Sequence, residues 1–367
     1  MSTTTTLSRV RASRITPWVV GALLVALVAV LPLLDISVPG VLPGSTYTPG
    51  TLQLLAFAMV FAALALSYHL IFGVAGLLSF GHALYFALGA YGLGIVLRDT
   101  ELALVPAMGV VLLAAIVVAA ALGALSLRVT GIAFAMVTLA FAQAGSVLVR
   151  RNASVTNGEE GLPLRVTNIP AELVGVLNTR NVYWLALVLL VVVFLIVAWF
   201  ERSRAGHVVA ATRENELRVR VLGMTPFRVK LITVVLAGAL AALVGMVYLL
   251  LQSGVTPAVT TPDFTLTLLV IVVLGGVGSR WGAVVGGLVY TLLDQRLTAL
   301  ARSEAIQDLP DILRIPLSEP LFILGSLFIL VVLLLPGGLA GVARRVVARA
   351  DSPRGRGGRA LDEEKPR

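Results

Sequence analysis

Polar side chains interrupt an apolar stretch of the chain that reads LLSFGHALYFALGAYG. The hydroxyl groups of Ser79 and Tyr91 and the imidazole of His82 could bind a polar molecule or pass on a proton. A later apolar stretch carries two further hydrogen-bonding side chains, Thr138 and Gln143. Polar residues are expensive inside a membrane and often mark pathways. From their polarity and position, we predict that these five residues line a translocation path.

The same stretch has a simpler interpretation, in which small residues only allow helices to pack closely. Ala83, Ala87, Ala90 and Gly94 recur three or four residues apart and therefore lie on one helix face. Helix association in lipid relies on small residues and on hydrogen bonds between helices. For the histidines, a hydrogen bond to a neighbouring backbone carbonyl is favoured over a proton relay. Packing without a path therefore stays open as the alternative.

Glycines mark two places where we expect helices to be broken. Gly76 and Gly81 flank the first place, and Gly275, Gly276 and Gly278 separate two short apolar halves at the second. Irregular backbone at membrane depth is tolerated only inside protein or beside a water-filled path. Broken helices of this kind are common in transporters. We predict that these five glycines serve helix packing or helix breaks.

The composition argues against several kinds of chemistry. The chain has no cysteine and two lysines, Lys230 and Lys365, neither of which lies in a phosphate-binding loop. We find no His, Asp and Glu set with metal-ligand spacing and no nucleophile with a plausible base. We therefore expect no catalytic residue, metal site or cofactor in this chain. An ion-coupled carrier and a membrane-embedded enzyme remain rival classes, although the apolar segments hold almost no acids to bind a driving ion.

Hydropathy identifies the chain as a membrane protein. Of its 367 residues, 58% are hydrophobic and 13% are charged, against roughly 45–50% apolar and roughly 25% charged residues in soluble domains. The mean hydropathy is +0.97. We predict an all-α polytopic fold with about ten transmembrane or half-membrane helices. The predicted segments are 17–34, 50–72, 78–97, 102–124, 130–149, 182–200, 229–251, 264–278, 281–295 and 320–336.

The positions of the basic residues predict the orientation. If both termini are cytoplasmic, 20 of the 28 Lys and Arg residues fall in cytoplasmic segments, in agreement with the positive-inside rule. Anionic lipid accounts for most of the net charge of +9, so no nucleic acid is needed as a partner. The predicted parts are a cytoplasmic N-terminal tail (1–16), a transmembrane domain (17–340) with an external loop (150–181) and a cytoplasmic loop (201–230), and a basic disordered cytoplasmic tail (341–367).

The cytoplasmic loop contains an amphipathic stretch that we predict to be one helix. Gly223 is typical of a helix C-terminus, and Pro226 follows closely. Such a helix either lies at the lipid interface or docks into a groove on a soluble partner. One predicted face consists of Val208, Ala211, Asn215, Arg218 and Leu222, and another of Arg213, Glu216 and Arg220.

Several stretches of the sequence together resemble the permease subunits of bacterial high-affinity branched-chain amino acid importers of the ATP-binding-cassette (ABC) type. They are FGVAGLLSFGHALYFALGAYG, LRVTGIAFAMVTLAFAQ, TNGEEGL, TRENELRVRVLGMTPFRVKL, VLGGVGSRWGAVVGG and a late LLPGGL. They occur in the family's order and cover most of residues 50–340. Ala133 stands where the family usually has tyrosine, and Asn157 replaces a glycine.

The resemblance implies a function and a set of partners. The chain would form the path for branched-chain or other hydrophobic amino acids in a bacterial inner membrane. The implied partners are a second related permease subunit, two cytoplasmic ABC ATPase subunits that hold ATP and Mg, an extracytoplasmic solute-binding protein and membrane lipid. Permeases for urea or short amides have nearly the same signatures and stay an alternative substrate class.

The resemblance also assigns roles to residues of the cytoplasmic loop. The run around Glu214 matches the family's segment that touches the ATPase. The residues expected to couple ATP hydrolysis to transport are Arg213, Glu214, Asn215, Glu216 and Gly223.

Overall fold

The computed structural model describes residues 21, 23–37, 42–175, 178–301, 319–334 and 337–341. In these ranges helices occupy all ten predicted apolar segments, which confirms an all-α polytopic membrane protein. The predicted 1–16 tail, most of the connection between the predicted segments 281–295 and 320–336, and nearly all of the predicted C-terminal tail lie outside the described residues.

Among the described residues, five helices are long and apolar enough to cross a membrane, and a bent pair brings the number to six. The helices are α1 (Leu23–Leu33), α2 (Pro49–His69), α3 (His82–Asp99), α4 (Leu104–Ser126), α5 (Ile132–Arg151), α6 (Ala153–Thr156), α7 (Thr179–Arg202), α8 (Arg204–Glu214), α9 (Glu216–Val221), α10 (Pro226–Gln252), α11 (Pro262–Gly275), α12 (Arg280–Ala301) and α13 (Pro320–Leu334).

Helices α2 and α10 form the centre of the bundle. Most of each is buried, whereas less than a third of α4 and of α5 is buried. Helix α3 packs against α10 at backbone distance, because a Cβ atom on Gly89 would overlap the carbonyl oxygen of Ala242, and one on Gly245 would overlap that of Phe86. Such close approach is how helices associate without a hydrophobic driving force in lipid.

Helices α11 and α12 form a bent pair rather than one straight span. Their axes differ by 117° across a short break. Gly276 has a φ of 113°, which a residue with a side chain rarely adopts. The two halves touch through their backbones, since a Cβ atom on Gly275 would overlap the carbonyl oxygen of Gly282.

The two ends of α10 define the two ends of the bundle. Helices α8 and α9 pack near its start, which we call the α8 end. A two-stranded antiparallel ribbon follows its last turn, and we call this the ribbon end. The ribbon consists of β1 (Leu162–Pro163) and β2 (Gly254–Val255), with Leu162 opposite Val255. At 1.5 Å per residue, α10 spans about 40 Å, enough to cross a bilayer core of about 30 Å.

The contact between α3 and α10 leads to a test of stability. We expect Gly245→Ala to lower the free energy of unfolding by about 1–3 kcal/mol, because the new methyl group must displace the α3 backbone. The matched control is Gly109→Ala in α4, where no atom lies within 4 Å of the added Cβ. That change is expected to be neutral or stabilising by up to about 1 kcal/mol, since alanine favours helix more than glycine does. Thermal unfolding of the two variants in detergent measures the difference, and equal melting temperatures would contradict this account.

Candidate functional site

Two broken segments lie together at the α8 end. After α2 the chain makes a π-helical turn (Leu70–Val74) and an irregular stretch before α3 begins at His82. The second break separates α11 from α12. The side chain of Arg213 in α8 reaches both breaks: its guanidinium donates to the carbonyl oxygen of Gly73 and lies 4.0 Å from a Cβ position on Gly278.

Side chains from neighbouring helices satisfy the backbone of the first break. The phenol of Tyr68 donates to the carbonyl oxygen of Ser79 at 3.0 Å. The hydroxyl of Thr138 in α5 accepts a hydrogen bond from the Phe80 amide at 3.1 Å. The hydroxyl of Thr265 in α11 accepts one from the Ala83 amide at 3.0 Å. The break is therefore held by α2, α5 and α11 at once.

The predicted path residues fall into two groups. Ser79, His82 and Thr138 are buried together where α3 begins. Tyr91 is buried farther along α3. Gln143 is exposed on α5, where it lines an open cleft of about 600 Å³ together with apolar residues and Arg151. The structure thus brings together three of the five residues and separates the other two, and their role in a path stays a prediction.

Both membrane histidines bind side chains, so the expected bond to a backbone carbonyl was wrong. The ring of His82 is 2.8 Å from the hydroxyl of Ser67, at the last turns of α2. The Nε2 atom of His69 is 2.8 Å from a carboxylate oxygen of Glu201 in α7. These partners are far apart in sequence, which explains why local pattern did not reveal them.

The predicted glycine positions lie at the two breaks. Gly76 has a φ of 67°, and a Cβ atom there would lie 2.6 Å from Cγ of Arg213. Gly81 precedes α3, and its Cβ would lie 2.8 Å from the carbonyl oxygen of Thr138. Gly275 ends α11, and Gly276 and Gly278 form the turn before α12. Each of the five glycines therefore lies where added side-chain atoms would crowd a neighbour or strain the turn.

The predicted single cytoplasmic helix is wrong, because Asn215 divides it into α8 and α9. Asn215 is extended, with φ of −156° and ψ of 100°. Its side-chain oxygen accepts a hydrogen bond from the Arg218 amide at 2.9 Å. This is the geometry of a helix N-cap, for which asparagine is among the preferred residues. Asparagine followed by a helical pattern was the signal available in the sequence.

The other predicted coupling residues surround this division. Glu214 is exposed at the end of α8, and Gly223 ends the segment with a φ of 80°. Glu216 binds Lys230 at 2.6 Å and Arg220 at 2.5 Å. The hydrogen bond from Lys230, followed by that from Arg220, lowers the pKa of the Glu216 carboxyl. Helix α9 is thereby fixed to the start of α10.

Helix α9 and the residue that follows it present an exposed apolar patch, of which only Leu222 belonged to a predicted face. Leu217, Val221 and Leu222 are 71%, 79% and 69% exposed. Two basic residues of the same helix, Arg218 and Arg220, stand beside them. We call these five residues the α9 patch. The spacing of Leu217 and Val221, four residues apart, was the sequence signal for it.

A charged cluster at the α8 end was also missed. Glu201 bridges His69 and Arg280, and its Oε2 atom lies 3.0 Å from Nε of Arg280. These three residues belong to α7, α2 and α12. Within the described residues, no group of three or more His, Cys, Asp or Glu side chains is arranged to hold a metal ion. Through its two contacts, Glu201 connects α7 with α2 and α12.

Comparison with known proteins places the chain in a family. A family model described as "Branched-chain amino acid transport system / permease component" matches residues 50–335. The high-affinity branched-chain amino acid transport system permease protein LivM of Escherichia coli K12 is 26% identical over 321 residues, which are 80% of this chain and 71% of LivM. The permease protein LivH of the same system in that strain is 25% identical over 304 residues, which are 77% of this chain and 91% of LivH.

A third relative shows similar identity. The probable branched-chain amino acid transport permease protein LivM of Methanocaldococcus jannaschii is 26% identical over 266 residues, which are 62% of this chain and 76% of that protein. The family match covers well over half of the chain. The chain therefore belongs to the permease components of branched-chain amino acid transport systems, and is a multi-pass transport protein of the inner membrane rather than an enzyme.

Proposed function

We propose that the chain is the transmembrane permease subunit of an ABC importer for branched-chain or other hydrophobic amino acids. In this proposal a separate extracytoplasmic binding protein delivers the solute, and separate ATPase subunits bind ATP and Mg. Two relatives, LivM and LivH, are permease proteins of one transport system. This supports pairing of the present chain with a second related permease.

The observation that carries the proposal is the contact between α8 and the two breaks. Arg213 binds the Gly73 carbonyl and lies against Gly76, so a displacement of α8 would act directly on irregular backbone next to α3. Discontinuous helices of this kind form the substrate and ion sites of many transporters. An external energy source acting on α8 would therefore move the segment that holds Ser79 and His82.

We propose that the α8 end faces the cytoplasm. The loop 201–230 carries seven Lys and Arg residues, as expected for a cytoplasmic loop. The external loop 150–181 then lies at the ribbon end and faces the binding protein. Arg150, Arg151, Glu159 and Glu160 are available there, and an Arg150 nitrogen lies 3.8 Å from a Glu159 carboxylate oxygen.

The proposed path runs along α3 and α5. The cleft beside Gln143 is open on one side and apolar for the most part. A second permease subunit placed against α5 would close it. Apolar walls with a few polar groups suit the side chain and the charged ends of a hydrophobic amino acid.

The proposed function is tested by purifying the tagged chain with its native neighbours. We expect two ATPase subunits and a second permease to be retained. Binding protein loaded with leucine is expected to stimulate ATP hydrolysis, because a loaded binding protein stabilises the conformation that closes the ATPases. If only urea-loaded binding protein stimulates ATP hydrolysis, the transported solute is urea rather than an amino acid. Solute movement by the isolated chain under an ion gradient, without ATP, would overturn the proposal.

The α9 patch predicts the ATPase contact. Replacing Leu217 and Val221 together with serine is expected to weaken retention of the ATPase subunits at least about tenfold, because burial of each apolar side chain is worth about 1.5–3 kcal/mol. Co-purification at several ATPase concentrations measures this change. The control is Val166→Ser at the ribbon end, an equally apolar residue that is 49% exposed. Equal ATPase retention in the two variants would exclude the α9 patch as the contact.

The role of His82 is tested by comparing it with its hydrogen-bond partner. We expect His82→Ala to reduce uptake per assembled complex by about tenfold, a loss of about 1.4 kcal/mol. Ser67→Ala removes the same hydrogen bond but leaves the imidazole in place, and is expected to retain most uptake. Radiolabelled leucine uptake, normalised to assembled complex, gives both values. Unchanged uptake in His82→Ala would remove His82 from the path.

A further inference from the structure

The corner between α7 and α8 is short and tightly packed. A single residue, Ser203, separates the two helices, and its hydroxyl oxygen accepts a hydrogen bond from the Gly206 amide at 3.1 Å. The same hydroxyl donates to the carbonyl oxygen of Phe200 at 2.6 Å. A Cβ atom on Gly206 would overlap the Phe200 carbonyl oxygen. Because one residue connects the two helices and the corner is closely packed, movement of α8 must also displace the last turn of α7.

Glu201 lies in that last turn and binds one partner with each of its two carboxylate oxygen atoms. Its Oε1 atom is 2.8 Å from Nε2 of His69, and its Oε2 atom is 3.0 Å from Nε of Arg280. The His69 side chain is fully buried, whereas 23% of Glu201 and 24% of Arg280 are exposed. Hydrogen bonds that involve ionised groups are stronger and more directional than neutral ones. Partial burial strengthens them further because water screens them less.

Each partner stands at the edge of one break. His69 is the last residue of α2, and its ring packs so closely on Gly73 that a Cβ atom there would overlap it. Arg280 is the first residue of α12, directly after the second break. Its guanidinium also lies 5.8 Å from the ring centroid of Phe194 in α7. Glu201 therefore joins the start of the first break to the end of the second.

This attachment is separate from the one that Arg213 makes. Arg213 touches the interior of both breaks from α8, mainly through a backbone carbonyl and the faces of glycines. Glu201, in α7, binds residues of α2 and α12, the helices that flank the breaks. A displacement of the α7–α8 corner would thus reach each break from two sides.

We infer that Glu201 is a positioning residue that transmits movement of the α7–α8 corner to both broken segments and thereby keeps transport coupled to ATP hydrolysis. The inference rests on the proposed function, in which ATPase subunits move α8. Glu201 need not touch the solute or the nucleotide for this role. A purely structural connection would influence how much complex assembles, whereas a transmitting residue sets how much solute moves for each ATP hydrolysed.

The test uses the complete complex in liposomes with leucine-loaded binding protein. Glu201→Gln keeps the size and one hydrogen bond of the side chain but removes the charge that Arg280 binds. We expect uptake per ATP hydrolysed to fall at least fivefold while ATP hydrolysis by the assembled complex persists. The control is Glu101→Gln, which removes an exposed carboxylate at the ribbon end and is expected to leave the ratio unchanged.

The partner residue provides a second line of evidence. Arg280→Gln is expected to lower the same ratio, and Arg280→Lys, which keeps the charge, to restore most of it. The double variant with Glu201→Gln is expected to be no worse than either single variant, because residues that act through one contact are not additive. Independent, additive losses would overturn the inference.

The outcomes separate this inference from the proposed function. Absence of ATP-driven uptake in the unmodified complex would overturn the proposed function itself. Normal uptake there, together with an unchanged ratio in Glu201→Gln, would overturn the role of Glu201 alone. If Glu201→Gln does not assemble, Arg280→Gln and Arg280→Lys decide the question by the same ratio, and equal ratios in these two variants would overturn the inference.

Discussion

The structure depends on the need to satisfy backbone polar groups where helices break within a membrane protein. No lipid atom can replace a missing helical hydrogen bond, and each unsatisfied group costs several kcal/mol. Here the amides and carbonyls of the first break are bound by Tyr68, Thr138, Thr265 and Arg213. These side chains come from α2, α5, α11 and α8. The break consequently fixes the relative positions of four elements, and the bundle is assembled around it.

The other helices differ in how closely they pack: α3 and α10 form a close-packed centre, whereas α5 lies at its side with few buried residues. Helices α3 and α10 approach at backbone distance at Gly89 and Gly245, which leaves no room for relative sliding without a change of register. Helix α5 touches the centre through few residues, such as Phe134, Ala142 and Ser146, and exposes much of its remaining surface. Local rearrangement is easiest where few buried contacts hold an element, so it is most easily accommodated at α5.

Much of this arrangement could be read from the sequence, and the failures have a common cause. Hydrophobic length located the helices, since lipid imposes both apolar composition and a minimum span on them. Clustered glycines located the breaks at Gly76 and Gly276 because few other residues tolerate the required backbone. By contrast, Glu201 looked like an ordinary charge at the end of a span. Its partners His69 and Arg280 lie far away in sequence, and only the packing of three helices brings them together.

The division of the segment between α7 and α10 at Asn215 changes how force would travel through the protein. A single helix over this loop would connect the exposed α9 patch rigidly to Arg213. Because the segment is divided, each helix is held by a contact of its own. The ion pair between Glu216 and Lys230 holds α9 against α10, and Arg213 holds α8 against the breaks. A partner that displaces the α9 patch would therefore act on α10 directly and on α8 only through Asn215. The hydrogen bond that the Asn215 side-chain oxygen accepts from the Arg218 amide stabilises the start of α9, while the extended Asn215 backbone lies outside both helices. Asn215 therefore sets the geometry between α8 and α9.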